Sequence, residues 1–530
     1  MSEKKATTIY QALWNSADIL RSKMDASDYK DYLLGLIFYK YLSDTMLYHA
    51  AELLEEEPTD LKEAQKIYTE AYNDSETHDD LMDALMFDFY YTLEPQLTFT
   101  ALVEAIHKGN FQLEDLAQGF RNIEQSSELY ENLFEDVDLY SRKLGSTAQK
   151  QNQTIAEIMK EIDTLDIAHE GDALGDAYEY LIGQFASGSG KKAGEFYTPQ
   201  AVSRLMTQVV LQGKEDQKGF SVYDPTMGSG SLLLNVKKFT NEPGTVNFFG
   251  QELNTSTYNL ARMNMILHNV SAANHHLHNG DTLDADWPTE EPTNFDAVLM
   301  NPPYSAKWSA DKGFLDDPRF SMYGVLAPKS KADFSFLLHG YYHLKDSGVM
   351  AIVLPHGVLF RGGAEGKIRK ALLENGSIDT VIGLPANIFF NTSIPTTVIV
   401  LKKDRDNKNV LFIDASNEFT KGKNQNVLED EHIDKIIDTY KKREDVDKFA
   451  HVADYDEIEE NDFNLNIPRY VDTFEEEEPV DMSALSQEII DLDKEIEKTE
   501  ADISSMIDEL TVTEDSKEFI EAAKAVFNHE

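Results

Sequence analysis

Seven short apolar runs between residues 200 and 405 alternate with stretches of helical period, and this constrains the fold more than any other feature of the chain. The runs are Phe220–Tyr223, Asn247–Gln251, His275–Asn279, Ala297–Met300, Val349–Leu354, Thr380–Gly383 and Thr397–Leu401. Parallel neighbours in a sheet need a long crossover, and a helix supplies it. Strands alternating with helices therefore predict an α/β domain with a mostly parallel sheet covered on both faces. Ligands of such sheets bind outside the carboxyl ends of the strands. Those ends are where the chemistry-bearing residues should stand.

The rest of the chain reads differently. Residues 8–143 carry apolar side chains at three- and four-residue steps, as in Leu33, Leu34, Ile37, Phe38 and Tyr41, with few strand or turn signals. The expected division is a helical N-terminal domain over residues 1–150, a junction over 151–200, a catalytic domain over 201–475 and a helical tail over 476–530. Within the junction, Ser187-Gly188-Ser189-Gly190 reads as a flexible turn. Residues 406–475 carry no clear period. Residues 481–511 read as one helix with a heptad seam of Leu485, Ile489, Leu492, Ile496, Thr499, Ile503, Met506 and Leu510. Such a seam serves either a helix packed on its own domain or a coiled-coil contact with another chain.

Composition excludes several classes. There is no cysteine, so disulfides, thiolate metal sites and a cysteine nucleophile are absent, which fits a reducing cytoplasm. No metal site is expected. No apolar run is long enough to span a membrane, and no apolar leader follows Met1. The net charge is −47, and it is uneven. Residues 1–150 hold 29 acidic and 13 basic residues, residues 151–300 hold 20 and 9, residues 301–450 hold 20 and 21, and residues 451–530 hold 26 and 5. The acidity is either a solubilising surface or the mark of a chain that binds duplex DNA poorly without a partner.

The strand ends carry a consistent set of groups. The first ends in Asp224-Pro225-Thr226-Met227-Gly228-Ser229-Gly230-Ser231, an acid and a small-residue turn ahead of a helix whose first N–H groups are free. Alone, such a Gly-x-Gly is weak evidence, since tight turns use it too. The second ends in Glu252, 22 residues past Gly230, where nucleoside-binding sheets place an acid on ribose hydroxyls. The third ends in Gly280-Asp281, an acceptor suited to an adenine amino group. Three acids on successive strands favour a nucleoside site over chance loop residues. The fourth breaks into Asn301-Pro302-Pro303-Tyr304. Two prolines stiffen the backbone and remove donors, leaving the Asn301 side-chain oxygen and the Pro302 carbonyl as fixed acceptors. Acceptors on the hydrogens of an exocyclic amine favour a pyramidal, nucleophilic nitrogen, and Tyr304 offers a face for an extruded base. The reaction is direct methyl transfer from a sulfonium to nitrogen. Cytosine-C5 chemistry, which needs a cysteine, does not fit.

These motifs resemble the amino-methyltransferase family. Asp224–Gly230 is similar to its cofactor loop, Asn301–Tyr304 to its catalytic tetrapeptide, and Glu195-Phe196-Tyr197-Thr198-Pro199 to the segment that cups the methionine end of the cofactor. Their order resembles the gamma arrangement of adenine-N6 enzymes. Over most of its length the chain is more similar still to modification subunits of type I restriction–modification enzymes. Asp25–Ser43 and Leu384–Phe389 followed by Ile394–Thr397 carry that part of the resemblance. It implies a Rossmann-like S-adenosylmethionine-dependent methyltransferase sheet with a helical N-terminal domain and a helical, coiled-coil tail. It implies S-adenosyl-L-methionine held by Glu195, Phe196, Tyr197, Thr198, Pro199, Gln200, Asp224, Gly228, Ser229, Gly230, Ser231, Glu252 and Asp281. The target adenine would meet Asn301, Pro302, Pro303 and Tyr304, with Phe389 or Phe390 as a second wall. The implied partners are duplex DNA, one specificity subunit for two modification subunits, and in some systems a restriction subunit. N4-cytosine methylation, protein glutamine methylation and an inactive DNA-binding scaffold are the competing readings.

Overall fold

The computed structural model describes residues 17–21, 24, 26–165, 167, 171–188, 197–389, 393–423, 425–473, 482–513 and 516–527. Each of the seven expected runs forms a strand: β1 Ser221–Asp224, β2 Asn247–Glu252, β3 His275–Asn279, β4 Phe295–Met300, β5 Leu344–Pro355, β6 Ile378–Gly383 and β7 Thr396–Lys402. Four more follow: β8 Val410–Asp414, β9 Thr420–Lys421, β10 Asn426–Val427 and β11 Ala450–Ala453. All four lie in the stretch without a clear period. A run as short as Val410-Leu411-Phe412-Ile413 cannot be told from a buried helical turn by pattern alone.

Nine strands make one sheet in the order β11-β8-β6-β7-β5-β4-β1-β2-β3, and β9 and β10 form a separate ribbon. Pairing is parallel from β3 through β5 and between β6 and β8. β7 runs antiparallel between β5 and β6, and β11 antiparallel to β8. The chain runs outward from β1 through β2 to β3, then returns to lay β4 on the other side of β1. That reversal is the switch point at which open α/β sheets open a ligand crevice.

Except at its β3 edge, whose residues are half-buried or exposed, the sheet is buried on both faces, and the two-residue period sorts its side chains. Val222, Phe248, Ala297, Leu299, Ala351 and Val353 enter one core. Tyr223, Phe249, Val298, Met300, Met350 and Ile352 enter the other. The N-terminal helices have their own core around the helix Ala26–Leu53, in which Leu33, Leu34, Leu36, Ile37, Phe38 and Tyr39 are all buried. A helix apolar on every side can only be central. Its Lys40 and Asp44 form a fully buried ion pair at 2.5 Å. The helix Thr255–Leu267, which follows β2, contributes Leu260, Met263 and Leu267 to that core. Its Arg262 donates to the carbonyls of Glu131 and Leu129 at 2.9 and 2.8 Å.

By compactness the chain divides into Met1–Asp472 and Thr473–Glu530. The second unit holds the helix Met482–Asp508 and the helix Lys517–Phe527, joined by a Lys524–Asp508 ion pair. Leu485, Ile489, Leu492, Ile496, Met506 and Leu510 of the seam are exposed in this chain. One local expectation is corrected. Ser187 and Gly188 end the helix Gly171–Gly188 and do not open a turn; Ser189 and Gly190 lie outside the described residues.

Candidate active site

Three loops meet at the carboxyl ends of β1, β2 and β3. In the first, Gly228 and Gly230 have φ of +55° and +79°, a region that favours glycine. A Cβ at Gly228 would meet nothing within 4 Å, whereas one at Gly230 would press on Met265 at 3.3 Å and Ala261 at 3.6 Å. Gly228 thus serves a turn with an open outer side, and Gly230 lets the helix Ser231–Phe239 start against the helix Thr255–Leu267.

The acids are fixed by backbone donors. Glu252 accepts from Gly228 N–H at 3.1 Å with one oxygen and from Asn254 N–H at 2.8 Å with the other, which draws the β1 loop onto the end of β2. Asp281 accepts from Leu283 N–H at 2.9 Å, and Thr282 donates to the Pro225 carbonyl at 2.5 Å, closing the third loop on the first. Asp224 is 1% exposed and accepts from the amide and hydroxyl of Thr226 at 2.9 and 3.2 Å. Burial without a paired cation among the described residues pushes its carboxyl up to about 8. The donor set fits S-adenosyl-L-methionine: carboxylates for ribose hydroxyls, an adenine amine and an ammonium, beside the free N–H groups of a helix start.

Beside β1, at the end of β4, stands Asn301, 8% exposed. Its amide nitrogen donates to the Thr198 hydroxyl at 3.0 Å, across 103 residues of sequence. Its oxygen accepts from the Tyr304 hydroxyl at 2.9 Å. The acceptor expected to face a base is therefore covered by the tyrosine of its own tetrapeptide. Tyr304 meets the ring of Phe389 edge-on, with centroids 6.2 Å apart and planes at 79°. Phe389 is itself buried at 2% exposure, so it backs Tyr304 and is not an open wall. Phe390 lies outside the described residues, as do Glu195 and Phe196. Of the expected cupping segment, Tyr197 to Gln200 are described, and Gln200 donates to the Tyr197 hydroxyl at 2.9 Å.

The comparisons with known proteins bear on the family of the chain. A family described as N-6 DNA Methylase matches residues 169–479, and a family described as the HsdM N-terminal domain matches residues 9–162. The type I restriction enzyme MpnII methylase subunit of Mycoplasma pneumoniae is 38% identical, over 94% of this chain and 97% of that one. The MjaIX methylase subunit of Methanocaldococcus jannaschii is 30% identical, over 94% and 90%. The crystal structure of a type I restriction–modification methyltransferase subunit from Streptococcus thermophilus is 72% identical, with a TM-score of 0.87, over 88% of this chain and all of that one. The chain belongs to the N-6 DNA methylase family. Within it, the chain is a type I methylase subunit and an adenine-N6 DNA methyltransferase.

Two supports of the methylase site escaped the sequence reading. The first is Glu179, on the helix Gly171–Gly188. Its buried carboxylate accepts from Gln200 at 3.0 Å, and Gln200 accepts from Asn235 at 2.9 Å. Lys238 lies 3.7 Å from the same carboxylate, and burial raises its proton affinity. Glu179 thereby fastens the segment after Thr198 to the helices beneath the cofactor loop. The available signal was Gly175, four residues earlier on the same face, whose missing Cβ leaves room for the His268 ring. The second is Asp333. Ser305, directly after Tyr304, has φ of +52°, and its N–H donates to Asp333 at 2.7 Å. Arg361 holds the other Asp333 oxygen at 2.6 Å. A strained residue persists where its surroundings over-determine it, and this one fixes the exit of the catalytic tetrapeptide.

A histidine cluster nearby is structural. His339 accepts from Arg319 at 3.1 Å and meets the Tyr223 hydroxyl at 2.9 Å, and His343 meets Asp286 at 2.8 Å. With both ring nitrogens of His339 engaged, one of them by a guanidinium, the cluster ties the loop after β3 to the helix Asp333–Tyr342. No helix among the described residues is long and apolar enough to cross a membrane.

Proposed function

We propose that this methylase moves the methyl group of S-adenosyl-L-methionine directly to N6 of an adenine extruded from duplex DNA, with each expected site residue in its assigned role. Glu195 to Gln200 and the Asp224–Ser231 loop hold the methionine end, Glu252 the ribose and Asp281 the cofactor's adenine. The bound cofactor supplies an electrophilic sulfonium methyl. The Tyr304 hydroxyl leaves Asn301, and its ring turns onto the face of the extruded base. The base's two amino hydrogens then donate hydrogen bonds to the Asn301 oxygen and the Pro302 carbonyl, which localises the lone pair on N6. Held so, N6 would receive the methyl carbon from the sulfonium of the bound cofactor, whose sulfur would keep the electron pair of the broken bond, and the surplus proton would leave N6 for solvent. Pro302 and Pro303 keep the two acceptors in register, so alignment does much of the catalytic work.

The observation that carries this reading is the placement of Asn301. It stands at the switch point beside β1, its amide turned by Thr198 so that the oxygen faces Tyr304. In the cell we place the methylase in the cytoplasm, two copies to one specificity subunit, with a restriction subunit joining in some assemblies. Residues 1–150 then form the helical N-terminal domain, residues 151–200 the junction with the methionine-cupping segment, residues 201–475 the catalytic domain, and the tail from residue 476 contacts the partner subunit. The test is transfer from labelled S-adenosyl-L-methionine to duplex DNA by the methylase co-expressed with its specificity subunit, with products digested to nucleosides. Label in N6-methyladenine, lost with Asn301→Ala, supports the reading. Label in N4-methylcytosine overturns the base assignment, and label in protein overturns the substrate.

A further inference from the structure

Accepting the base-extrusion reading, we propose that the loop from Ser305 to Ala332 is a phosphate-gripping ridge that holds the DNA backbone beside the extruded adenine. The chain as a whole carries −47, yet this loop holds five basic residues against three acidic ones. Of the five, Arg319 is buried and committed to Asp317 at 2.7 Å and to the Thr282 carbonyl at 2.9 Å. Lys307, Lys312, Lys329 and Lys331 are different. Among the described residues, no carboxylate lies within 4.0 Å of any of their ammonium groups. Lys307, Lys312 and Lys329 are exposed, and Lys331 is half-buried.

The loop has no regular strand or long helix, but it is tightly tied. Trp308 is 7% exposed and packs on Phe314 and Phe320, with ring centroids 5.3 and 5.8 Å away. Its backbone N–H donates to the Lys329 carbonyl at 3.1 Å, its indole N–H to the Pro328 carbonyl at 3.2 Å, and Ala332 N–H to the Ala306 carbonyl at 2.9 Å. Residues 306 and 308 are therefore tied to residues 332 and 329 across a turn that Lys331 N–H closes on the Pro328 carbonyl at 2.8 Å, which gathers Lys307, Lys329 and Lys331 into one stretch of the loop. Lys307 follows Tyr304 by three residues, at most roughly 10 Å of chain. Like charges gathered without counter-ions are unfavourable to the free protein, and an anionic partner relieves the repulsion. Lysine suits a sequence-blind role, because it meets a phosphate as a point charge and lacks the fork with which arginine reads guanine. The ridge would anchor the strand while base identity is read elsewhere.

The test compares the wild-type complex with Lys307→Gln/Lys329→Gln/Lys331→Gln in the full chain, bound to its specificity subunit, on a fluorescent cognate duplex over a range of salt. Each lost phosphate contact lowers the slope of log affinity against log salt by about 0.9, so a fall of roughly 2 to 3 for each methylase copy that grips the duplex is expected, with cofactor binding unchanged as the control for folding. A second triple, Lys160→Gln/Lys441→Gln/Lys442→Gln, removes equal charge from exposed positions elsewhere. An unchanged slope in the first triple, or an equal fall in the second, overturns the ridge. If the wild-type complex labels adenine and the first triple keeps its slope, the ridge alone fails. If the slope falls but wild type labels no DNA, the extrusion reading alone fails.

Discussion

The two halves of the active site are built by different means. At the ends of β1 to β3, the acids are set by amides close to the turns: Glu252 by Gly228 and Asn254, Asp281 by Leu283, Asp224 by Thr226. At the end of β4, the groups are set by side chains from distant segments: Asn301 by Thr198, Ser305 by Asp333, Tyr304 by Phe389. The cofactor half is therefore formed by short loops on a rigid sheet. The proposed base half depends on several elements holding together, and Tyr304 covers the Asn301 oxygen there. Substitutions on the base half should act on turnover, and those on the cofactor half on affinity.

The largest break in that contrast is Asn301→Ala. It should lower kcat by about 100-fold or more, as removal of a pre-aligned polar group in an active site does, while the dissociation constant for S-adenosyl-L-methionine stays within a few-fold. Isothermal titration beside single-turnover methylation separates the two, and a large loss of cofactor affinity would mean that the halves are not independent. Next is Asp333→Ala, which takes the acceptor from the Ser305 amide and leaves the half-buried Arg361 guanidinium to Glu365 alone. We expect a loss of stability of about 1 to 3 kcal/mol by denaturant unfolding, with kcat falling further than the cofactor constant. Asp333→Asn, which keeps an acceptor for Ser305, should recover much of the turnover.

Glu179→Ala belongs to the cofactor half by this logic. Freed of its anchor, Gln200 no longer holds Tyr197, and KM for the cofactor should rise by about tenfold with kcat at saturation nearly kept. Asp224 gives a pH test. Its folded value of about 8 stands far above the ordinary carboxylate value of 3.8. The folded chain thus keeps a proton that the unfolded chain gives up across that window, so this group's contribution to stability falls as pH rises from about 4 to 8. Asp224→Asn should flatten that part of the profile of thermal midpoint against pH. If Asp224 faces the cofactor's ammonium, wild-type affinity should also climb toward pH 8, and the variant's should not.

The same contrast explains what could be read from sequence. The acids at the strand ends, the glycine turn and Asn301–Tyr304 all announce themselves by position relative to an apolar run, whichever partners fix them in the fold. β1 to β7 were legible because stretches of helical period frame them, even where, as in β1, the strand is only four residues long. Glu179, Asp333 and the Tyr304 cover on Asn301 depend on segments that only the folded sheet brings together. β8 and β11 stand in residues 406–475, where no clear period frames them, and β11 has a single β-branched residue, Val452, so the edge of the sheet was not visible. Phe389, expected as a second wall for the base, shows its burial only once the cores around it are assembled.

Thr198 tests the boundary between the halves most finely, because the cupping segment assigns it to the cofactor and its hydrogen bond assigns it to the base. Thr198→Val keeps the shape and removes the acceptor for the Asn301 amide. A buried donor left unmatched costs about 1 to 3 kcal/mol, which as lost alignment corresponds to roughly a five- to hundredfold fall in kcat. If Thr198 acts through Asn301, kcat falls, KM for the cofactor holds, and Thr198→Ser restores turnover by returning the hydroxyl. If KM rises instead and kcat holds, Thr198 belongs with Tyr197 and Gln200, and the orientation of Asn301 rests on the two prolines alone.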